Sequence, residues 1–197
     1  MKDVVATVIV DLNRSEEEIL EGLHKDARWG IRRAQKDGLI VKESSDWDAI
    51  YKIYCDSMVS NSLNPLPLDV LRNNSRVLFI CYKEETPIAI AAIHMEDEKP
   101  TLFINASLKD YQKFQPNNLL YWECMLWAKR NGYSQFDFGG WQVNAKGHLE
   151  GINKFKEKWG KVIFYEKDFP FFKAIGRKLI RKFKFFWWLN NKIRGRK

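Results

Sequence analysis

Phe136-Asp137-Phe138-Gly139-Gly140, followed fifteen positions later by Phe155-Lys156, decides the fold of this chain. The first run reads as a short buried strand entering a double-glycine turn. Glycines there let the backbone take positive φ, or approach a ligand closely, because there is no Cβ to clash. The second pair sits in Gly151-Ile152-Asn153-Lys154-Phe155-Lys156-Glu157-Lys158-Trp159-Gly160, a helical stretch that stops at a glycine. A lysine so placed is aimed at whatever the glycine turn admits. As plain structure the same residues make a strand–turn–helix corner with solvated lysines.

The elements around this corner follow from hydrophobic periodicity and turn signals. Val5–Val10 reads as a strand, and Ser15-Glu16-Glu17-Glu18 is a capping box opening a helix that runs to near Gly38. A short strand, Leu39–Lys42, precedes a helix over Asp46–Met58 that is broken by Asn64-Pro65-Leu66-Pro67, with a brief helix at Asp69–Asn73. Val77–Tyr82, Ile88–Met95 and Leu102–Ala106 are three strands of an antiparallel meander, turning at Glu84–Pro87 and Glu96–Pro100. Pro116–Asn131 is a strong helix, Gln135–Phe138 a strand, Leu149–Lys158 a helix and Val162–Tyr165 a strand. The order β-α-β-α-α-β-β-β-α-β-α-β predicts an α/β (α+β) domain, a mixed central sheet flanked by helices.

Composition narrows the class. A length of 197 residues suits one domain. With 45% hydrophobic and 14% aromatic residues it can bury a sizeable core. Cys55, Cys81 and Cys124 lack Cys-x-x-Cys spacing and cannot all pair, which suits a reducing cytoplasm. Cys124 falls in an apolar helix and reads as core. His24, His94 and His148 are too scattered for a metal site, and the apolar run Val4–Val10 is too short for a signal peptide. There is no Gly-x-Ser-x-Gly elbow for a serine nucleophile. The Asp-Phe-Gly run lacks the glycine-rich loop and catalytic loop of a kinase.

Charge is segregated. From Lys173 onward there are ten basic residues and no acidic one, so the other 172 positions hold 23 basic against 25 acidic residues, a net of −2. The +8 of the whole chain therefore belongs to a tail, with a boundary near Asp168–Pro170 dividing a domain, 1–168, from residues 169–197. Phe172, Ile175, Leu179, Phe183 and Phe186 fall at three- or four-residue steps among lysines and arginines, with Trp187 and Trp188 near one end. That pattern reads as an amphipathic helix lying on an anionic membrane surface, ahead of an arm holding tRNA phosphates or a helix packed on the domain.

From Leu39 onward the element order resembles that of the GNAT acetyltransferase fold, in which two central strands splay and the acyl group sits in the gap. Those strands are here Leu102–Ala106 and Gln135–Phe138. Three blocks together are similar to the second GNAT-like domain of the Fem family, the aminoacyltransferases of peptidoglycan cross-bridges. They are the Asp-Phe-Gly-Gly strand with its Phe-Lys, the segment Asp11-Leu12 through Ala27-Arg28-Trp29-Gly30-Ile31-Arg32-Arg33-Ala34 to Gly38, and the helix from Asn118-Leu119-Leu120-Tyr121-Trp122-Glu123 to Gly132-Tyr133. They cover most of residues 5–166.

The resemblance implies an acyltransferase that joins an amino acid or other acyl group to an amine of a cell-envelope precursor at the inner membrane face. Aminoacyl-tRNA is then the donor and no cofactor is needed. Lys156 would be catalytic, stabilising charge on the ester carbonyl. Phe155 would pack against the terminal adenosine or the helix base, Gly139, Gly140 and Trp141 would line the acceptor cleft, and Arg28 and Arg32 would grip phosphate. Coenzyme A enzymes of this fold bind pyrophosphate with a glycine-containing loop before the central helix, whereas Ser107–Pro116 contains no glycine. Two other readings stay open: a coenzyme-A-dependent N-acyltransferase acting on a nucleotide sugar or lipid-linked glycan, and a non-catalytic membrane adaptor. Fem enzymes carry two such domains and this chain matches mainly the second. A homodimer, a partner subunit or a smaller substrate would have to make up the difference.

Overall fold

The computed structural model describes residues 2–96 and 98–168, so the tail expectations for residues 169–197 lie outside the described residues. Seven strands form one mixed sheet: β1 (Lys2–Asp11), β2 (Leu39–Glu43), β3 (Val77–Lys83), β4 (Thr86–Glu96), β5 (Lys99–Ser107), β6 (Gln135–Trp141) and β7 (Lys161–Asp168). Their order is β2-β3-β4-β5-β6-β1-β7. The helices are α1 (Glu16–Gly22), α2 (Lys25–Lys36), α3 (Trp47–Ser60), α4 (Leu68–Asn74), α5 (Pro116–Arg130) and α6 (His148–Lys156), with a 3-10 helix over Lys109–Phe114. Residues 6–163 form one compact unit, which holds the cavity and the side chains around it. The other unit comprises residues 1–5 and 164–197, of which the ends of β1 and β7 are described.

The β3-β4-β5 meander is buried on both faces because its side chains alternate between two cores. Ala89, Ala91 and Ile93 face one core, together with Ile19, Ile31 and the inner side of α5. Ile90 and Ala92 face the other, against Ile50, Ile53 and Tyr54 of α3 and Leu71 of α4. Each such aliphatic side chain contributes on the order of 1.5–3 kcal/mol on burial. α5 is the central helix; Leu119, Leu120, Tyr121, Cys124, Met125 and Ala128 are all buried. The Cys124 thiol is fully buried and its pKa is pushed up by that burial. Burial likewise lifts the Cys81 thiol to about 12, so both thiols stay protonated and neither serves as a nucleophile.

The segment after the capping box forms two helices where a single one was expected. Ser15 Oγ accepts from the Glu18 amide at 3.1 Å and the Ser15 amide donates in turn to the Glu18 carboxylate at 2.8 Å, so the box itself is present. α1 then ends because Leu23 turns extended, with ψ 155°, and buries its side chain. His24 restarts the helix: its ring accepts from the Asp26 amide, and its own amide donates to Lys158 O at 3.0 Å. Three boundaries also move. Pro87 and Pro100 lie inside β4 and β5, at or near their starts, and β6 continues through Gly139 and Gly140 to Trp141.

Candidate active site

β5 and β6 run parallel but pair at a single register position, Thr101 with Asp137. Beyond it they part, and two local irregularities shape the gap. β5 carries one residue more than β4 between the partners of Ala92 and Ile93, and Phe103 is the extra one. β6 carries one more than β1 between the partners of Thr7 and Ile9. At that bulge Gly139 has φ +71°, and a Cβ there would stand 2.9 Å from Leu102 O, so only glycine fits. The glycine pair thus bends β6 against β5 and sits within the strand, not beyond its end.

The gap is a cavity of about 490 Å³. Its walls come from Leu102–Ser107 of β5, Phe138 of β6, Asn117 and Tyr121 of α5, and Ile152, Phe155 and Lys156 of α6, with Met58 and Asn61 closing one side. No carboxylate or imidazole stands among the lining residues.

Lys156 is half-buried, and its ammonium donates to Gly140 O at 3.0 Å. Burial lowers its pKa, and the nearby Asp137 charge opposes that shift. Asp137 is itself held by the Thr7 hydroxyl and by the Gly139 amide, the latter at 2.7 Å. The bulge, the carboxylate and the lysine are therefore one hydrogen-bonded unit at the edge of the cavity. An ammonium in so dry a setting donates strongly to a carbonyl oxygen that gains charge.

Phe155 is anchored by the rings of Tyr121 at 5.3 Å and Trp159 at 6.4 Å, and Tyr121 lies over Phe138 at 4.8 Å. Tyr121 is buried, which raises its phenol pKa and keeps the proton on the oxygen as a donor. Asn117 and Tyr121 are four residues apart on α5, so one helical face supplies both. That spacing was visible in the sequence, yet neither had been singled out.

The other sequence-derived candidates lie elsewhere. Trp141 donates its indole N–H to Glu157 at 2.7 Å, and neither it nor the two glycines lines the cavity. The Arg28 guanidinium is spent on the end of α1, donating to Glu21 O at 2.5 Å and Leu23 O at 2.9 Å. Arg32 is exposed, and its neighbour Arg33 pairs with Asp37 at 2.6 Å. The structure thus joins Lys156 and Phe155 at the cavity, with Gly139 and Gly140 behind the lysine, and leaves both arginines and Trp141 outside it.

A central helix, a meander and two parallel strands splayed around an acyl-sized gap define a known architecture. Residues 68–157 match the family described as the acetyltransferase (GNAT) domain. The chain has a GNAT-like fold. Among solved structures it is similar to FemX, at 14% identity and a TM-score of 0.68 over 82% of this chain and 59% of that one. It also resembles the C-terminal domain of an Agrobacterium fabrum protein described as a lysylphosphatidylglycerol synthetase, at 15% identity and a TM-score of 0.62, covering 84% of this chain and 60% of the other. L-PGS from Bacillus licheniformis follows at 17% identity and 0.55, covering 88% and 64%. The chain thus spans about three fifths of the length of these proteins. No curated protein matches it. At the level of the fold, the Fem resemblance read from the sequence is met.

Proposed function

We propose that this domain transfers an aminoacyl group from aminoacyl-tRNA to an amine on a cell-envelope precursor. The observation that carries the reading is the half-buried Lys156 ammonium, set beside the Gly139–Gly140 bulge at the cavity between β5 and β6. The incoming amine attacks the ester carbonyl. A C–N bond forms, the carbonyl oxygen gains charge beside Lys156, and the C–O bond to ribose breaks. The proton shed by the amine ends on the ribose hydroxyl, and the protonated Tyr121 phenol is one of the donors in the wall. Positioning and oxyanion stabilisation suffice, which agrees with a cavity wall that holds no carboxylate or imidazole.

The donor assignment draws support from the strand-to-helix connection. Where a pyrophosphate loop would need glycines, Lys109–Phe114 is a 3-10 helix, with the Tyr111 amide donating to Leu108 O and the Gln115 amide to Gln112 O. Two similar structures also carry names that point to aminoacyl and lipid chemistry, FemX and lysylphosphatidylglycerol synthetase. Among the described residues no helix is long and apolar enough to cross a membrane. Peripheral attachment at the inner face of the cytoplasmic membrane through residues 169–197 belongs to the same proposal, as does a partner subunit or second copy that completes the acceptor site.

The test supplies the full chain with charged tRNA or acetyl-coenzyme A, and with lipid-linked envelope precursors as acceptors. Mass spectrometry should find an aminoacyl group on the acceptor amine with tRNA alone. Acetylation from coenzyme A, with no transfer from tRNA, would replace this reading by the coenzyme-A-dependent one.

A further inference from the structure

At the far end of α3 from the acyl cavity lies a second, open hollow of about 890 Å³. Trp47 opens α3 there, while Ser57 and Met58 near its other end line the cavity between β5 and β6. At about 1.5 Å per residue the two sites stand roughly 16 Å apart along the helix. The end of α4 and the turn into β3 bring Arg72, Ser75 and Arg76 to one wall of the hollow, and Ser44 and Ser45 face them from the link between β2 and α3. Backbone bonds fix both segments to the sheet: the Arg76 amide donates to Ile93 O at 2.7 Å and the Ser44 amide to Leu78 O at 2.9 Å. Trp47, Val77 and Leu78 supply an apolar floor.

The positive charge of this wall is unspent. The Arg72 guanidinium sits over the Trp47 ring, 5.4 Å from its centre, a contact that holds the cation in place without using its N–H groups. Among the described residues neither Arg72 nor Arg76 has an ion pair, and neither guanidinium makes a hydrogen bond. The carboxylates nearby are turned away or engaged. Glu43 follows Val41 by two residues on β2, and Val41 packs on one core while Leu78 packs on the other, so strand alternation sets Glu43 on the opposite face of the sheet from Leu78. Asp46 caps α3, accepting from the Ala49 amide at 3.0 Å. The Ser75 Oγ is buried with no hydrogen-bond partner. Buried hydroxyls are ordinarily paired, and this one belongs to the same wall as the two unpaired arginines.

We propose that this hollow binds a phosphate ester, with its phosphate held by Arg72, Arg76 and the Ser75 hydroxyl and its organic part lying on the apolar floor. Guanidinium meets phosphate oxygens through paired hydrogen bonds, and two guanidiniums with a hydroxyl offer more donors than a carboxylate accepts. A lipid headgroup and a soluble phosphoester both present this group. The inference is independent of the donor and acceptor read for the acyl cavity.

Calorimetry measures binding of glycerol phosphate to the full chain and to its Arg72→Gln, Arg76→Gln and Ser75→Ala variants, each with a melting curve. The unaltered chain should bind with a Kd of about 1 mM or below. Each arginine variant should weaken binding by about tenfold or more, and Ser75→Ala by about threefold or more. Ser75→Ala removes an unpaired buried hydroxyl, so its Tm should hold or rise while its affinity falls, a split that a merely structural role would not give. Absence of binding at that concentration, or equal affinity in the arginine variants, would overturn the site. Sedimentation with phosphatidylglycerol vesicles separates the two sources. Ser75→Ala changes no charge, so the electrostatic pull of residues 169–197 on the vesicles is the same in both chains. Weaker sedimentation of Ser75→Ala would assign the site to a lipid headgroup. Equal sedimentation, with glycerol phosphate binding weakened, would assign it to a soluble phosphoester.

Discussion

Lys156 owes its character to two neighbours that pull in opposite directions: the dry wall around it, which disfavours the ammonium, and Asp137, which favours it. As a donor to an oxyanion it must hold its proton, so activity should fall as pH rises through its folded-state pKa. That pKa lies below the ordinary lysine value of 10.5. Asp137→Asn keeps an acceptor oxygen for the Thr7 hydroxyl and the Gly139 amide but removes the charge. The pKa of Lys156 then drops further, and the alkaline limb of kcat should move to lower pH. A limb that stays in place, or moves upward, would separate Lys156 from the chemistry. At this scale the sequence was a partial guide. Phe155-Lys156 behind Gly139-Gly140 was marked out by the Fem resemblance, since on its residues alone the corner reads as ordinary structure with solvated lysines. Arg28 could not, because nothing in its helical spacing says that the carbonyls of Glu21 and Leu23 would claim it.

Among the elements, the sheet and α5 were legible because they are long and strongly periodic, and the corners were not. The break at Leu23–His24 depends on Lys158, more than a hundred residues away, and on a histidine serving as a cap. The 3-10 helix over Lys109–Phe114 leaves no hydrophobic period to detect, since none of its residues is buried. The continuation of β6 through two glycines is paid for by pairing with β1, Thr7 with Gly140 and Ala6 with Trp141. The same close fit recurs where α6 leads into β7. A Cβ on Gly160 would meet Ile9 O at 2.4 Å, a backbone atom that cannot rotate away. Gly160→Ala should therefore destabilise the domain by about 1–3 kcal/mol. Its Tm should fall by roughly 2–4 °C for each of those kcal/mol, read by thermal melting. An unchanged Tm would show that β1 and this corner are less tightly seated than their geometry states.

For the whole molecule, charge divides the chain in two. The first 172 residues carry a net of −2 and contain the GNAT-like domain, while the last 25 carry ten basic residues and none acidic. Near an anionic bilayer each basic residue contributes on the order of 1 kcal/mol. A chain lacking residues 171–197 should therefore stop sedimenting with phosphatidylglycerol vesicles that the full chain binds. Salt should weaken the full chain's binding without abolishing it, because the aromatic side chains add a contribution that screening does not touch. Equal sedimentation of both would remove the tail from membrane attachment, and binding of the full chain to tRNA alone would assign the tail to nucleic acid. The domain itself is held to one claim, that the cavity between β5 and β6 is the place of acyl transfer and that Lys156 stabilises the charge formed there. Single-turnover transfer from charged tRNA, compared between the full chain and Lys156→Met, tests it most directly. The methionine keeps an apolar stem of similar reach, so melting curves should coincide while the rate falls by about 10²–10³-fold. Equal rates with coincident melting curves would contradict the account.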